Sequence, residues 1–180
     1  SHETQDGYLA KVMPPIRTKN DVEYVWESLQ KNHINTIGTD HVANQLKLKL
    51  GGDDVWGALA GFPGIGTSLP ILLSEGINKN RITLDQLVNL TSANTSKIFG
   101  LSGKGNISTG FDADVTLIDL KKETKVSPEL FGGFSDYLVY DGWNLKGWPV
   151  KTIVRGTLIA EDFEVVGKPG YGKLVSRSLG

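Results

Sequence analysis

The stretch Ile34-Asn35-Thr36-Ile37-Gly38-Thr39-Asp40-His41 decides how the chain is read. Its first half has the β-branched, apolar character of a short strand, and its second half passes through glycine into polar side chains. Just upstream, Val22, Val25, Trp26 and Leu29 recur at helical spacing, with Asn20 or Asp21 placed to cap the helix and a stop near Lys31-Asn32. A helix that feeds a short strand ending in glycine and polar residues is the αβ unit of a parallel sheet. In a parallel β/α barrel, polar residues at the carboxyl ends of strands face the active-site mouth. A carboxylate there can hold a metal ion, orient a water molecule and take its proton. The residues alone leave Asp40 two readings, this one and a turn cap after a strand. His41 likewise reads either as a zinc ligand or as a hydrogen-bonding neighbour of a site, since no HxH or HExxH spacing accompanies it.

Outward from this stretch the chain keeps an α/β pattern up to about residue 100. Met13-Pro14-Pro15-Ile16-Arg17 cannot be helix interior, because proline lacks the donor and restricts its neighbour. A loop rich in glycine covers 51–66. The pattern predicts a helix over 68–75, with Pro70 in its first turn and Gly76 just past its end. Thr83-Leu84-Asp85-Gln86 reads as a capping box opening a helix with Leu84, Leu87, Val88 and Thr91 on one side. A short helix over 93–99 is closed by Gly100. From about residue 101 the pattern turns to β. Turns are expected at Gly103-Lys104-Gly105 and Gly110, and a strand over 115–120. An irregular stretch follows over 121–147, then a hairpin of 150–155 and 157–160 about Gly156. The tail from Gly167 is expected to wrap over a surface. The expected division is 1–100 and 101–180.

Composition excludes several function classes. A net charge of −1, with lysine and arginine scattered among acids, leaves no electrostatic footprint for nucleic acid or an anionic membrane. No apolar run approaches the roughly 20 residues that span a bilayer, so no membrane partner is expected. Cysteine is absent, which removes disulfides, thiolate metal sites and cysteine nucleophiles and agrees with a cytoplasmic setting. The polar start from Ser1 to Gly7 is no signal peptide. The histidines are His2, His33 and His41 alone, too few and too scattered for a self-contained catalytic zinc site. The loop 60–66 lacks the Lys-Ser/Thr of a phosphate-binding loop, so its glycines serve turns or a close approach of backbone to a small ligand. Lys104 reads as a solvated turn residue rather than a reactive lysine. Phe131, Phe134, Tyr137, Tyr140, Trp143 and Trp148 read as a docking or oligomer surface rather than a cofactor box.

Six stretches in order carry a resemblance: VMPPIR (12–17), IGTDH (37–41), AGFPGIGTSLPILL (60–73), SANTSKIFGL (92–101), GKGNISTGFDADVTLID (103–119) and DGWNLKGWPVKTIVRG (141–156). Together they resemble the amidohydrolase superfamily in its dihydropyrimidinase and hydantoinase branch. The resemblance implies an α/β fold, the C-terminal part of a (β/α)8 metal-dependent hydrolase barrel plus part of a small β-sandwich domain. It implies two zinc ions bridged by a carboxylated lysine, with the paired histidines, the lysine and two later histidines all upstream of this chain. Asp40 matches the family's last metal-site aspartate, a metal ligand and general base. Met13 and Ala60 match positions whose backbone groups contact the substrate. The family often has Ser and Asn at those two positions, and Glu where Gly66 stands. The implied substrate is a small cyclic amide or ureide of the hydantoin or dihydropyrimidine type. The implied partners are the missing N-terminal half of the barrel and further copies in a homo-oligomer, and this chain alone is expected to be inactive. A dihydroorotase or allantoinase-like hydrolase, or a non-catalytic structural relative, are the alternatives. Val42-Ala43-Asn44 departs from the Ala-Pro-His of dihydroorotases, and Gly142-Trp143 through Gly147-Trp148-Pro149-Val150 points to hydantoinases.

Overall fold

A computed structural model describes residues 5–52 and 54–178; His2 and the first residues of the polar start lie outside them. The helices are α1 (Gln5–Leu9), α2 (Lys19–Gln30), α3 (Leu46–Leu50), α4 (Ile65–Ile71), α5 (Leu84–Val88) and α6 (Asn94–Ile98). The strands are β1 (Val115–Lys125), β2 (Asn144–Val154), β3 (Thr157–Glu161) and β4 (Glu164–Val165). They form an antiparallel sheet in the order β1-β2-β3-β4, a meander in which every strand pairs with its chain neighbour.

Local chemistry explains the helix ends. The capping residue of α2 is Thr18, not Asn20 or Asp21: its hydroxyl accepts from the Asp21 N–H, and the Asp21 carboxylate accepts from the Thr18 N–H. Asp21 thus closes the box from the third helical position. The expected box at Thr83 and Gln86 forms in the same way, and the Gln86 amide also donates to the Gln30 carbonyl at 2.7 Å, joining α5 to the end of α2. The helix expected over 68–75 instead starts at Ile65 and runs on through a π-helical turn, Leu72–Ile77. Gly76 is therefore inside it, where a Cβ would sit 3.0 Å from the Ile82 side chain and 3.3 Å from Trp26. Another π-helical turn, Asn89–Ala93, joins α5 to α6, and it turns Leu87 and Leu90 inward while Leu84 and Val88 stay exposed.

Two strand expectations change. Residues 34–37 form no ladder among the described residues; their ties are the Ile37 N–H to the Leu90 carbonyl at 3.2 Å and the Asn94 amide to the Asn35 carbonyl at 3.0 Å. A strand of a parallel sheet needs neighbours distant in sequence, and none of the described residues supplies one. The stretch 121–147 is less irregular than expected, because β1 extends to Lys125 and β2 begins at Asn144. The turn Arg155-Gly156 has positive φ at both residues, +46° and +79°, the twist that suits a tight hairpin.

The core lies where helices meet sheet. Leu29, Leu72, Leu73, Ile82, Leu87 and Leu90 are buried together, with Ile118 and Leu120 of β1 packed against them. A second cluster joins Val126, Leu138, Leu145 and Trp148. Gly147 lets β2 approach the helix: at φ +94°, an added Cβ would fall 2.8 Å from the Cβ of buried Leu73. Gly147→Ala is expected to destabilise the full-length protein by about 2 kcal/mol or more, through both strain and overlap. Chemical denaturation measures this; an unchanged midpoint would contradict the packing.

Candidate active site

Three segments distant in sequence are tied together by backbone hydrogen bonds. The Gly61 N–H donates to the Lys11 carbonyl at 3.0 Å, and the Val42 N–H donates to the Phe62 carbonyl at 3.2 Å. Gly61 has φ +93°, and a Cβ there would lie 2.5 Å from the Val42 side chain, so glycine is required for the loop to rest on this segment. Asp40 is two residues before Val42, Ala60 adjoins Gly61, and Met13 is two residues after Lys11. The structure therefore brings the sequence-predicted site residues into one neighbourhood.

Asp40 stands in the left-handed region at φ +43° and is exposed. Aspartate tolerates this conformation better than most residues. Among the described residues its carboxylate receives no hydrogen bond and no ion pair. A turn cap would accept a nearby backbone N–H, so the geometry disfavours that reading. His41 is engaged differently. Its Nδ1 accepts from the N–H groups of Gly64 at 3.0 Å and Ile65 at 3.3 Å, at the start of α4. Both donors are amides, so Nδ1 carries the lone pair and the ring's proton is on Nε2. In this tautomer His41 has a donor to offer and no free lone pair for zinc. His33 lies on the surface, as expected.

No grouping of three or more His, Asp or Glu that could hold a metal occurs among the described residues. The open carboxylate of Asp40 fits one place in a metal shell and leaves the others to residues beyond these.

Met13 is 71% exposed and Ala60 is exposed, and neither backbone forms a hydrogen bond with the described residues. Their neighbours are held firmly. Lys49 of α3 is 0% exposed, and its ammonium donates to the carbonyls of Lys11, Leu59 and Gly61, each at 2.7 Å. The Lys11 ammonium donates to the carbonyls of Val55 at 2.8 Å and Ala58 at 2.5 Å. Burial first, and the Lys11 charge second, pull the Lys49 pKa down to about 8. The ammonium form is still the main one at neutral pH. Sequence reasoning missed this residue. The local pattern LKLKL (46–50) gives no sign of it, since the apolar Leu48 is exposed and Lys49 is not.

Behind Asp40 the aromatic stretch is packing as much as surface. Tyr137 is buried and donates to Asn44 Oδ1 at 2.5 Å; burial first, then Asp136, push its pKa up to about 12. The Asp136 carboxylate accepts from the Leu46 N–H at 2.7 Å. Trp148 is 0% exposed and stacks on Phe131, while Phe134 and Trp143 remain exposed. The expected docking surface thus reduces to those two exposed rings. A Cβ on Gly66 would meet the Phe131 ring at 2.4 Å, so a larger residue there would require that ring to move. Lys104 is not a freely solvated turn residue: it pairs with Asp112 at 2.8 Å and with Asp114, which raises its pKa.

The Amidohydrolase family matches residues 17–159. The chain is 39% identical to an L-hydantoinase of Paenarthrobacter aurescens over 95% of its own length and 38% of that protein's. It is 38% identical to a D-hydantoinase of Geobacillus stearothermophilus and 37% identical to a dihydroorotase of Pyrococcus horikoshii, over 92% and 93% of its own length and 36% and 38% of theirs. It therefore spans under two fifths of these relatives' length. A solved L-hydantoinase (dihydropyrimidinase) from Arthrobacter aurescens superposes with TM-score 0.92 at 39% identity, over 96% of this chain and 39% of that one. A D-hydantoinase crystal structure superposes with TM-score 0.90 at 36% identity, over 96% of this chain and 38% of that one. The fold class is thus as expected, a mixed helix-and-sheet piece of the amidohydrolase fold of the hydantoinases. By sequence and by fold, the chain belongs to the amidohydrolase family.

Proposed function

We propose that this chain is part of a metal-dependent hydrolase that opens cyclic amides or ureides of the hydantoin or dihydropyrimidine type. The observation that carries the reading is the convergence of an open carboxylate, Asp40, with backbone groups of Met13 and Ala60 that are unpaired among the described residues. Asp40 supplies a metal ligand and the base that takes a proton from the attacking water and passes it to the ring nitrogen as the amide bond breaks. Met13 and Ala60 align the ring through backbone hydrogen bonds, and His41 offers Nε2–H beside them. Bound zinc ions, two bridged by a carboxylated lysine in the full enzyme, would polarise the ring carbonyl and acidify water. The barrel portion is assigned to 1–100 and the sandwich portion to 101–180, in a cytoplasmic homo-oligomer.

The test is turnover by the full-length protein, supplied with zinc, on hydantoin, dihydrouracil and dihydroorotate. Ring opening of either of the first two is expected. No turnover on any of them would overturn the reading and favour a non-catalytic relative. Dihydroorotase activity is the second reading, supported by the identity to the Pyrococcus protein. Against it, Asn44 stands where dihydroorotases are expected to carry histidine, and it is 6% exposed with its oxygen bound to Tyr137.

The isolated 180-residue chain is expected to open no ring and to hold no stoichiometric zinc after dialysis. Metal analysis showing one tightly held zinc per chain would contradict the single-ligand assignment. Ile16, Tyr24, Trp56 and Ile107 are exposed on this chain. Apolar surface of this kind is expected to draw it to the rest of its barrel or to other copies.

A further inference from the structure

Among the described residues Lys49 has no carboxylate partner, and a buried ammonium without one is costly unless every donor is used. Here the match is complete: three N–H donors meet the carbonyls of Lys11, Leu59 and Gly61 at 2.7 Å each. Leu59 and Gly61 flank Ala60 on either side. Lys11 leads into Met13. The Leu59 N–H also donates to the Lys49 carbonyl at 3.0 Å, so both ends of this lysine hold the same loop. An apolar side chain of similar volume would fill the same space at lower cost in desolvation, and it would tie nothing.

We infer that Lys49 is a positioning residue: its ammonium joins the backbone on both sides of Ala60 to the segment leading into Met13, and so sets the spacing of the two backbone elements that grip the substrate ring. This rests on the proposed ring-opening function. Lys49 touches no substrate itself. Its effect is on binding geometry, which the ground state and the transition state share, so it should act on KM more than on kcat.

The test uses the full-length, zinc-loaded enzyme. Lys49→Met removes the donors and keeps most of the volume; KM is expected to rise roughly tenfold or more while kcat stays within about threefold. Lys49→Gln keeps two shorter donors, with an intermediate KM expected, and it serves as the milder variant if Lys49→Met does not fold. Lys11→Met releases the loop upstream at Val55, Trp56 and Ala58, and it is expected to shift KM less than either. Unchanged KM in a folded Lys49 variant would overturn the proposal. So would a fall in active-enzyme concentration with wild-type KM and kcat per active site, which marks a purely structural role. Amide hydrogen exchange at Leu59 and Gly61 gives a readout that needs no activity. If wild-type protein opens no ring, the functional reading fails on its own. Exchange still decides for Lys49: faster exchange at both amides in the variant is expected, and unchanged protection would overturn the tether.

Discussion

Replacing Asp40 is expected to abolish ring opening in the full-length enzyme, by about 10³-fold or more in kcat, with the fold retained. Asp40→Asn is the cleaner variant. Asparagine tolerates the left-handed φ of +43° as aspartate does, so the backbone is undisturbed while the charge and the basic oxygen are lost. Asp40→Ala should be equally inactive, with a small added cost from placing alanine in that conformation. Because the carboxylate is exposed and bonds to none of the described residues, its removal leaves no partner stranded. Stability should therefore stay near wild type. Steady-state kinetics with circular dichroism and metal analysis separate the outcomes. Near-wild-type turnover in a folded Asp40→Asn enzyme would sink the assignment of ligand and base.

The largest expected effect on stability is at Trp148. The residue is fully buried, its indole N–H donates to the Leu145 carbonyl at 2.9 Å, and its ring packs on Phe131 and edge-on to Phe163. Trp148→Ala removes a large side chain from the junction of β2 with the stretch that leads from β1. A loss of about 3–5 kcal/mol is expected, the range for emptying a large aromatic site in a core. Trp148→Phe should recover much of it, since the ring contacts partly survive and only the indole bond is lost. Denaturant midpoints of the full-length protein measure both. A loss under about 1 kcal/mol for the alanine variant would mean the site collapses without a cavity.

What the sequence reveals divides by the range of the interaction. The capping box at Thr83 and Gln86, the hairpin at Arg155-Gly156 and the glycine closing α6 are written in adjacent residues, and all are found. The strand expected over 34–37 depends on partners far away along a barrel, so a local pattern cannot guarantee its ladder. Asp40 was legible as a carboxylate after an apolar run and a glycine. Its choice between cap and site required the tertiary fact that its oxygens meet no nearby amide. His41 shows the same limit, since its tautomer is set by amides more than twenty positions away, at Gly64 and Ile65. Lys49 was not legible, because its partners are backbone carbonyls, which leave no trace in side-chain identity.

The meander has a kinetic consequence. Each strand pairs with its chain neighbour, and the longest connection, between β1 and β2, is pinned at its ends by the Val126 N–H to the Trp143 carbonyl at 2.8 Å and the Gly142 N–H to the Val126 carbonyl at 2.9 Å. Pairings so local in sequence carry a small loop-closure cost, so the sheet should nucleate early, beginning at the β2–β3 hairpin. Ile118 and Leu120 on β1 would then be in place as the surface on which the leucines of the helices condense.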